Sequence, residues 1–147
     1  MIYVDLDVAK RLNKYVNSIK NLDKDDLKKL SNYAKRMSNM IMSDGLVRSI
    51  LFAFSKAKIV NINVYISNIN IKERSLNDSM RWAIVTGILI NEYFSDCIDP
   101  SKKEIDLLVL LDKLHRGELG NIDILEQKII QCLDTLSRIL ESYLREE

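Results

Sequence analysis

The chain has very few of the residues that turn or break a polypeptide. It contains one proline and four glycines in 147 residues. A β-sandwich or barrel of this size needs many more turn residues, so the scarcity excludes an all-β fold and favours long helices. The hydrophobic fraction of 47% and the charged fraction of 29% exclude intrinsic disorder. The length predicts one helical domain over residues 1–147 with a single sizeable core.

Residues that carry out catalysis or bind metals are also scarce. The single histidine, His115, excludes an HExxH zinc site and a phosphohydrolase site built from several histidines. It lies before Gly117, where a cation caps the end of a helix. The sequence holds neither a P-loop nor a GxGxxG motif. We therefore expect no enzymatic activity, no cofactor and no metal.

Two cysteines, Cys97 and Cys132, lie 35 positions apart and belong to no paired motif. This spacing favours small core residues over a disulfide or a reactive thiol. No apolar run reaches the roughly 18 residues that span a bilayer. The first residues, MIYVDLDVAKRL, place aspartates where a signal peptide has its apolar stretch. These features predict a cytoplasmic protein without a membrane partner.

Apolar residues recur at spacings of three and four along most of the chain, which predicts a helical bundle of about five to six helices. The aspartate at 23 is a good N-cap, and Asp99-Pro100-Ser101 marks another helix start. The last helix has a heptad seam and a second apolar row, so it is expected to pack against two neighbours. The predicted helices with the clearest limits are 5–19, a helix from 23 onward, 77–94, 105–114 and 121–144.

Two segments depart from the helical pattern. Residues 59–71, IVNINVYISNINI, alternate apolar and polar side chains, so a short strand, a hairpin or an extended loop is expected there. The second segment is SDGLVRSILFAFSKAK, residues 43–58, where Gly45 interrupts an apolar helix. Glycine costs about 1 kcal/mol relative to alanine inside a helix. Either close approach of a neighbouring helix or a break near Ser43 would explain it, with Ile50, Leu51 and Phe52 in the core.

Charge is unevenly distributed along the chain. Residues 1–81 hold fifteen Lys and Arg against eight Asp and Glu, whereas residues 82–147 hold seven against thirteen. Solubility alone explains this asymmetry in many proteins. The alternatives are a half that binds a polyanion, or head-to-tail stacking of basic surfaces on acidic ones.

Seven basic side chains are candidates for phosphate contact. Three lysines of the second helix fall within about 40° of one another on its polar face, as in a row that tracks a phosphate backbone. Two cations lie on the helix after Gly45, and two arginines share a flank at the start of the long apolar helix. The candidates are Lys24, Lys28, Lys35, Arg48, Lys56, Arg74 and Arg81.

The segment KKLSNYAKRMSNMIMSDGL followed by LVRSILFAFSKAK resembles the small all-helical subunit of type III-B CRISPR effector complexes, the Cmr type. That family has a helix ending in a basic residue and LP, a short apolar step, NGL, and a helix of the form LxFxxSK. Ser38 replaces the proline of that pattern, and Asp44 replaces its asparagine. A helix containing Trp82 and a terminal helix from 126 to 145 continue the resemblance. The matching residues are Met37, Ile41, Asp44-Gly45-Leu46, Ile50, Phe52, Ser55 and Lys56.

The resemblance implies a non-catalytic structural subunit. Members of the family stack as a short filament beside the subunits that hold the guide RNA, and their basic residues help accommodate the duplex of guide RNA and target RNA. Other effector subunits carry out cleavage. The implied partners are therefore those subunits, the two RNA strands and further copies of the chain.

Three alternatives remain open from the sequence. A helical DNA-binding regulator needs a recognition helix, and the helix after Ser43 is too apolar to lie in a DNA groove. A protein–protein adaptor would use the heptad helix for docking and would not bind nucleic acid. The small subunit of type III-A complexes is similar in size and role.

Overall fold

The computed structural model describes residues 6–67 and 76–144. Within these ranges the chain forms seven α-helices, which confirms the all-α prediction. The number exceeds the predicted five to six because part of segment 59–71 is helical. The helices are α1 Leu6–Ile19, α2 Lys24–Asp44, α3 Leu46–Ala57, α4 Ile59–Ser67, α5 Asp78–Tyr93, α6 Leu107–Arg116 and α7 Ile122–Leu144.

Helix α5 is the central element, as its apolar sequence predicts. Every residue from 82 to 90 is buried, so neighbouring helices must cover the helix on all sides. Helices α2, α3 and α4 pack against it. Asn77 caps its start by accepting a 2.9 Å hydrogen bond from the Met80 N–H.

Helices α2 and α7 form the most extensive helix pair, and α1 packs on α7 as well. The two neighbours predicted for the last helix are thus confirmed. Small polar residues line the α2–α7 contact: the hydroxyl oxygens of Ser31 and Ser137 lie 2.7 Å apart, and Ser38 donates to Asp134 at 2.8 Å. Ser31 is therefore buried in this contact.

The junction between α2 and α3 is a break at Gly45. This residue has φ 86° and ψ 165°, and its N–H donates to the Ile41 carbonyl at 2.9 Å. No neighbouring atom lies within 4 Å of the position that a Cβ would occupy. The backbone conformation, and not a close helix contact, therefore requires the glycine. Ile50 is buried as expected, but Leu51 is 43% exposed, so its assignment to the core is wrong.

Helices α3 and α4 meet at 90° around Lys58, a non-glycine residue with φ 68°. The expected extended segment is wrong for residues 59–67, which form α4, and residues 68–71 lie outside the described ranges. The asparagine side chains of this helix form hydrogen bonds with backbone groups: Asn61 donates to the Ala57 carbonyl, and Asn63 accepts from the Ile105 N–H. The backbone N–H and C=O groups of a helix also form hydrogen bonds with each other, whereas those of a strand need a partner strand.

A minimal antiparallel hairpin, β1 Ile98–Asp99 and β2 Glu104–Ile105, follows a 3₁₀ turn at Ser95–Cys97. The prediction that Asp99-Pro100-Ser101 starts a helix is wrong. The Asp99 carboxylate accepts hydrogen bonds from Ser101 and Lys102 and so stabilises the hairpin turn. Helix α6 instead begins after Asp106, whose side chain caps the Val109 N–H at 3.1 Å.

The end of α6 agrees with the sequence. His115 lies in its last turn, and Gly117 follows in the left-handed conformation with φ 71°. In the described part of the chain, no single helix is both long and apolar enough to cross a membrane. The bent pair α3–α4 meets that test only when its two helices are taken together.

Substitution of Gly45 tests the origin of the α2–α3 break. We expect Gly45→Ala to lower the free energy of unfolding by about 1–3 kcal/mol, because an L residue is strained at this φ and ψ. The matched control is Gly87→Ala in α5, where the new Cβ would meet Tyr65 Cβ at an ordinary 3.6 Å. Alanine is favoured inside a helix, so the control should be neutral or slightly stabilising. Urea unfolding of both variants measures the difference, and equal effects would contradict this account.

Candidate nucleic-acid interface

Cations and aromatic rings meet on the surface formed by α2, α3 and α5. Trp82 of α5 is buried at the base of this cluster. The Tyr33 ring of α2 lies 4.9 Å from the Trp82 ring, and the Phe52 ring of α3 lies 5.5 Å from it in an edge-on orientation. Three helices thus contribute one ring each, and such pairs add about 0.5–1.5 kcal/mol beyond the area they bury.

Two of the cluster's cations lie over these rings. The Arg36 guanidinium carbon lies 5.3 Å from the centre of the Trp82 ring and 5.6 Å from that of Tyr33. The Lys56 ammonium lies 5.6 Å from the Phe52 ring centre. Both residues are exposed, and cation–π contacts of this kind contribute about 0.5–1 kcal/mol at exposed sites. The contacts also hold two long side chains in place, which reduces the entropy cost of binding an anion.

Arg48 extends the positive surface along α3. It is exposed and lies one turn before Phe52, while Lys56 lies one turn after it, so the three share one side of the helix. We call Arg36, Arg48 and Lys56 with the rings of Tyr33, Phe52 and Trp82 the arginine–aromatic surface. A stacked guanidinium keeps its in-plane N–H donors available for a phosphate oxygen.

The predicted lysine row lies on a different flank of α2. Lys35 forms an ion pair with Glu141 of α7, while Arg36 faces α5. By helical periodicity, Lys24 and Lys28 share the flank of Lys35. The structure therefore separates the lysine row from the α3 cations, and phosphate contact by the row remains a prediction.

Arg81 occupies an internal position. Its side chain is 12% exposed and lies 3.4 Å from the Asp26 carboxylate, which is 4% exposed. The same guanidinium donates to the Leu76 carbonyl. The guanidinium carbon also lies 6.0 Å from the centre of the Tyr33 ring. Because Arg81 is nearly buried and paired with Asp26, we do not count it among the exposed cations of the arginine–aromatic surface. Arg74 lies outside the described residues.

Arg36 is the member of the surface that the sequence analysis did not select. The signal was nevertheless present, because Arg36 directly precedes Met37, which occupies the leucine position of the LP pattern. Tyr33 also precedes Arg36 by three residues, a spacing that brings side chains together on a helix. What the sequence could not provide was the position of Trp82, which is 46 residues away.

The structure allows the candidate metal ligands and the two cysteines to be located in the described part of the chain. No three His, Cys, Asp or Glu side chains in residues 6–67 and 76–144 form a group that could hold a metal ion. Cys97 and Cys132 are free and buried, as predicted. Burial raises the pKa of both thiols, that of Cys132 to about 12, so the reactive thiolate is scarce at neutral pH.

Comparison with known proteins identifies a family. A family model described as CRISPR-associated protein (Cas_Cmr5) matches residues 5–142. No curated protein and no solved structure matches the chain. The matched range includes the whole arginine–aromatic surface.

The Lys35–Glu141 pair predicts a pH effect on stability. The hydrogen bond and charge of Lys35 hold the pKa of Glu141 below its ordinary value of 4.5. A lowered folded-state pKa means that the stabilisation is present above this value and is lost as the pH falls through the folded pKa. We expect Glu141→Gln to remove this acid-dependent loss, which is about 1 kcal/mol or less for such a pair.

The measurement is urea unfolding from pH 7 to pH 3. Glu126→Gln on the same helix is the matched control and should keep the pH dependence of the unchanged protein. Identical pH profiles for the two variants would show that the Lys35–Glu141 pair does not contribute.

Proposed function

Because the chain belongs to the Cas_Cmr5 family of CRISPR-associated proteins, we propose that it is a non-catalytic structural subunit of a type III-B CRISPR RNA-guided complex. The family match over residues 5–142 is the observation that carries the proposal. The proposed partners are the other effector subunits, guide RNA and target RNA, and the proposed place of action is the cytoplasm. Copies of the chain would stack as a short filament beside the guide–target duplex.

We propose further that the arginine–aromatic surface contacts the phosphates of this duplex. Three exposed cations lie together there, and two of them are held by aromatic rings. Phosphate contacts of this kind position a duplex without selecting its sequence, as a subunit that must accept many guides requires. A guanidinium can also bind a phosphate through two N–H groups at once.

The structure weakens two of the alternatives drawn from the sequence. The adaptor hypothesis places docking on the heptad seam of α7, but the central seam residues Leu125, Ile129 and Leu136 are buried inside the protein. The DNA-binding regulator needs a recognition helix in a groove. Helix α3 buries six of its twelve residues in the core, so much of its surface is not available to enter a DNA groove.

The decisive experiment is affinity purification of the tagged chain from its native cells, with mass spectrometry of bound proteins and sequencing of bound RNA. We expect large CRISPR effector proteins and short guide RNAs carrying repeat sequence. Recovery of the chain alone, or with unrelated proteins and without RNA, would overturn the proposal.

Charge neutralisation locates the contact. We expect the triple variant Arg36→Gln, Arg48→Gln and Lys56→Gln to bind an RNA duplex more weakly and with a lower salt dependence. Each lost phosphate contact should reduce the slope of log K against log salt by about one unit. The measurement is a titration of labelled duplex at several salt concentrations.

The matched control neutralises three exposed lysines elsewhere, Lys20, Lys103 and Lys128, and therefore has the same net charge. This control variant should keep most of the slope of log K against log salt. A parallel variant with Lys24→Gln and Lys28→Gln tests the lysine row. Equal loss in the triple variant and its control would show that RNA responds to net charge and not to this surface.

A further inference from the structure

Helices α4 and α6 each expose large apolar side chains. Leu108 is 79% exposed, Val60 70% and Val64 55%. Ile59, Ile105, Leu107 and Leu108 line a hollow of about 360 Å³ where the starts of the two helices meet the hairpin. Single exposed apolar residues are ordinary, but apolar side chains that line one hollow together mark a candidate interaction surface. We call this hollow the α4–α6 groove.

The walls of the α4–α6 groove are fixed to each other. Asn63 of α4 accepts a 3.0 Å hydrogen bond from the Ile105 N–H, and Ser67 donates to the Lys103 carbonyl at 3.4 Å. The cap at Asp106 sets the direction in which α6 leaves the hairpin. The groove is therefore formed before any partner binds, which lowers the entropy cost of docking.

The rim of the groove is acidic. Three carboxylates, Asp99, Glu104 and Asp106, line it together with one cation, Lys102. A partner that fits this rim presents an apolar side chain next to a positive charge.

The outer side of α1 has that complementary chemistry. Leu6, Ala9, Lys10 and Asn13 line a shallow hollow, in which Leu6 is 73% exposed and Lys10 is the charged residue. This hollow lies in the basic half of the sequence, while the carboxylates of the groove lie in the acidic half. The charge asymmetry of the sequence thus corresponds to two apolar hollows of opposite charge.

We propose that the α4–α6 groove of one copy binds the Leu6–Lys10 side of α1 of a second copy. Leu6 would pack on Leu108 and Ile59, and Lys10 would approach Glu104. Two different patches meet in this contact, so a pair of copies still has one free groove at one end and one free α1 side at the other. Further copies can therefore bind at both ends. The inference rests on the proposed function and deepens it by naming the surfaces through which copies stack.

The first test is sedimentation of the purified chain without RNA or other subunits, over a range of concentrations at low and moderate salt. Each hollow is only a few residues wide, so we expect weak, salt-sensitive association. Leu108→Asp and Lys10→Glu should each weaken it about tenfold or more, because each places an unfavourable charge in the contact. Both residues are exposed, so neither change removes core packing.

Two further variants make the test specific. Ile124→Asp changes an equally apolar exposed residue at the start of α7, outside both hollows, and should associate like the unchanged chain. Glu104→Lys combined with Lys10→Glu in one chain reverses both charges of the pair and should restore association. A monomeric wild-type chain, or variants that all associate equally, would overturn the inference.

Mixing provides the sharpest outcome. Leu108→Asp blocks the groove and keeps the α1 side, whereas Lys10→Glu blocks the α1 side and keeps the groove. Equal amounts of the two should form one-to-one dimers and nothing larger, although each alone is monomeric. Absence of these dimers would overturn the pairing of the two surfaces.

The outcome is separable from that of the proposed function. A monomeric chain that still recovers effector proteins and guide RNA from native cells would overturn this inference alone. A self-associating chain that recovers neither would overturn the proposed function and leave the contact between copies in place.

Discussion

The burial of α5 is the constraint on which the other elements depend. Nine consecutive residues, 82 to 90, are buried, so the helix has no polar side to turn toward solvent. Three helices must therefore cover it, and the chain turns sharply to bring them there. The break at Gly45 and the 90° bend at Lys58 place α2, α3 and α4 around the same helix. Gly45 adopts its conformation without steric cost, and the backbone strain at Lys58 is offset by the burial that the bend allows.

The same constraint creates the candidate interface. Trp82 lies at the edge of the buried run, where α2 and α3 meet over α5, and rings from those helices pack against it. Cations from the outer faces then lie over the rings. The position of the positive surface is thus a consequence of core packing, and the buried Arg81–Asp26 pair ties α5 to α2 beside it.

Charge along the chain is partly neutralised within the fold. Basic α2 packs on α7, and Lys35 of the lysine row pairs with Glu141. Arg11 of α1 lies 3.5 Å from Glu92 of α5 in a second pair between the halves. Exposed cations lie on the arginine–aromatic surface and at Lys10 of α1, whereas three carboxylates line the α4–α6 groove. Nucleic acid and further copies of the chain are therefore proposed to use different faces.

Local sequence patterns were enough to predict the helical class, the family resemblance, the start of α2, and the limits of α1, α5 and α7 to within a residue or two. These depend on local periodicity, capping residues and glycine positions, which a single segment carries. The three-dimensional packing was needed to show that residues 59–67 are helical, that Leu51 is exposed and Ser31 buried, and that Arg36 joins the α3 cations while Lys35 does not. The physical reason is that alternation within 59–67 does not show which side a neighbour covers, and that Trp82 and Glu141 reach α2 from parts of the chain far away in sequence.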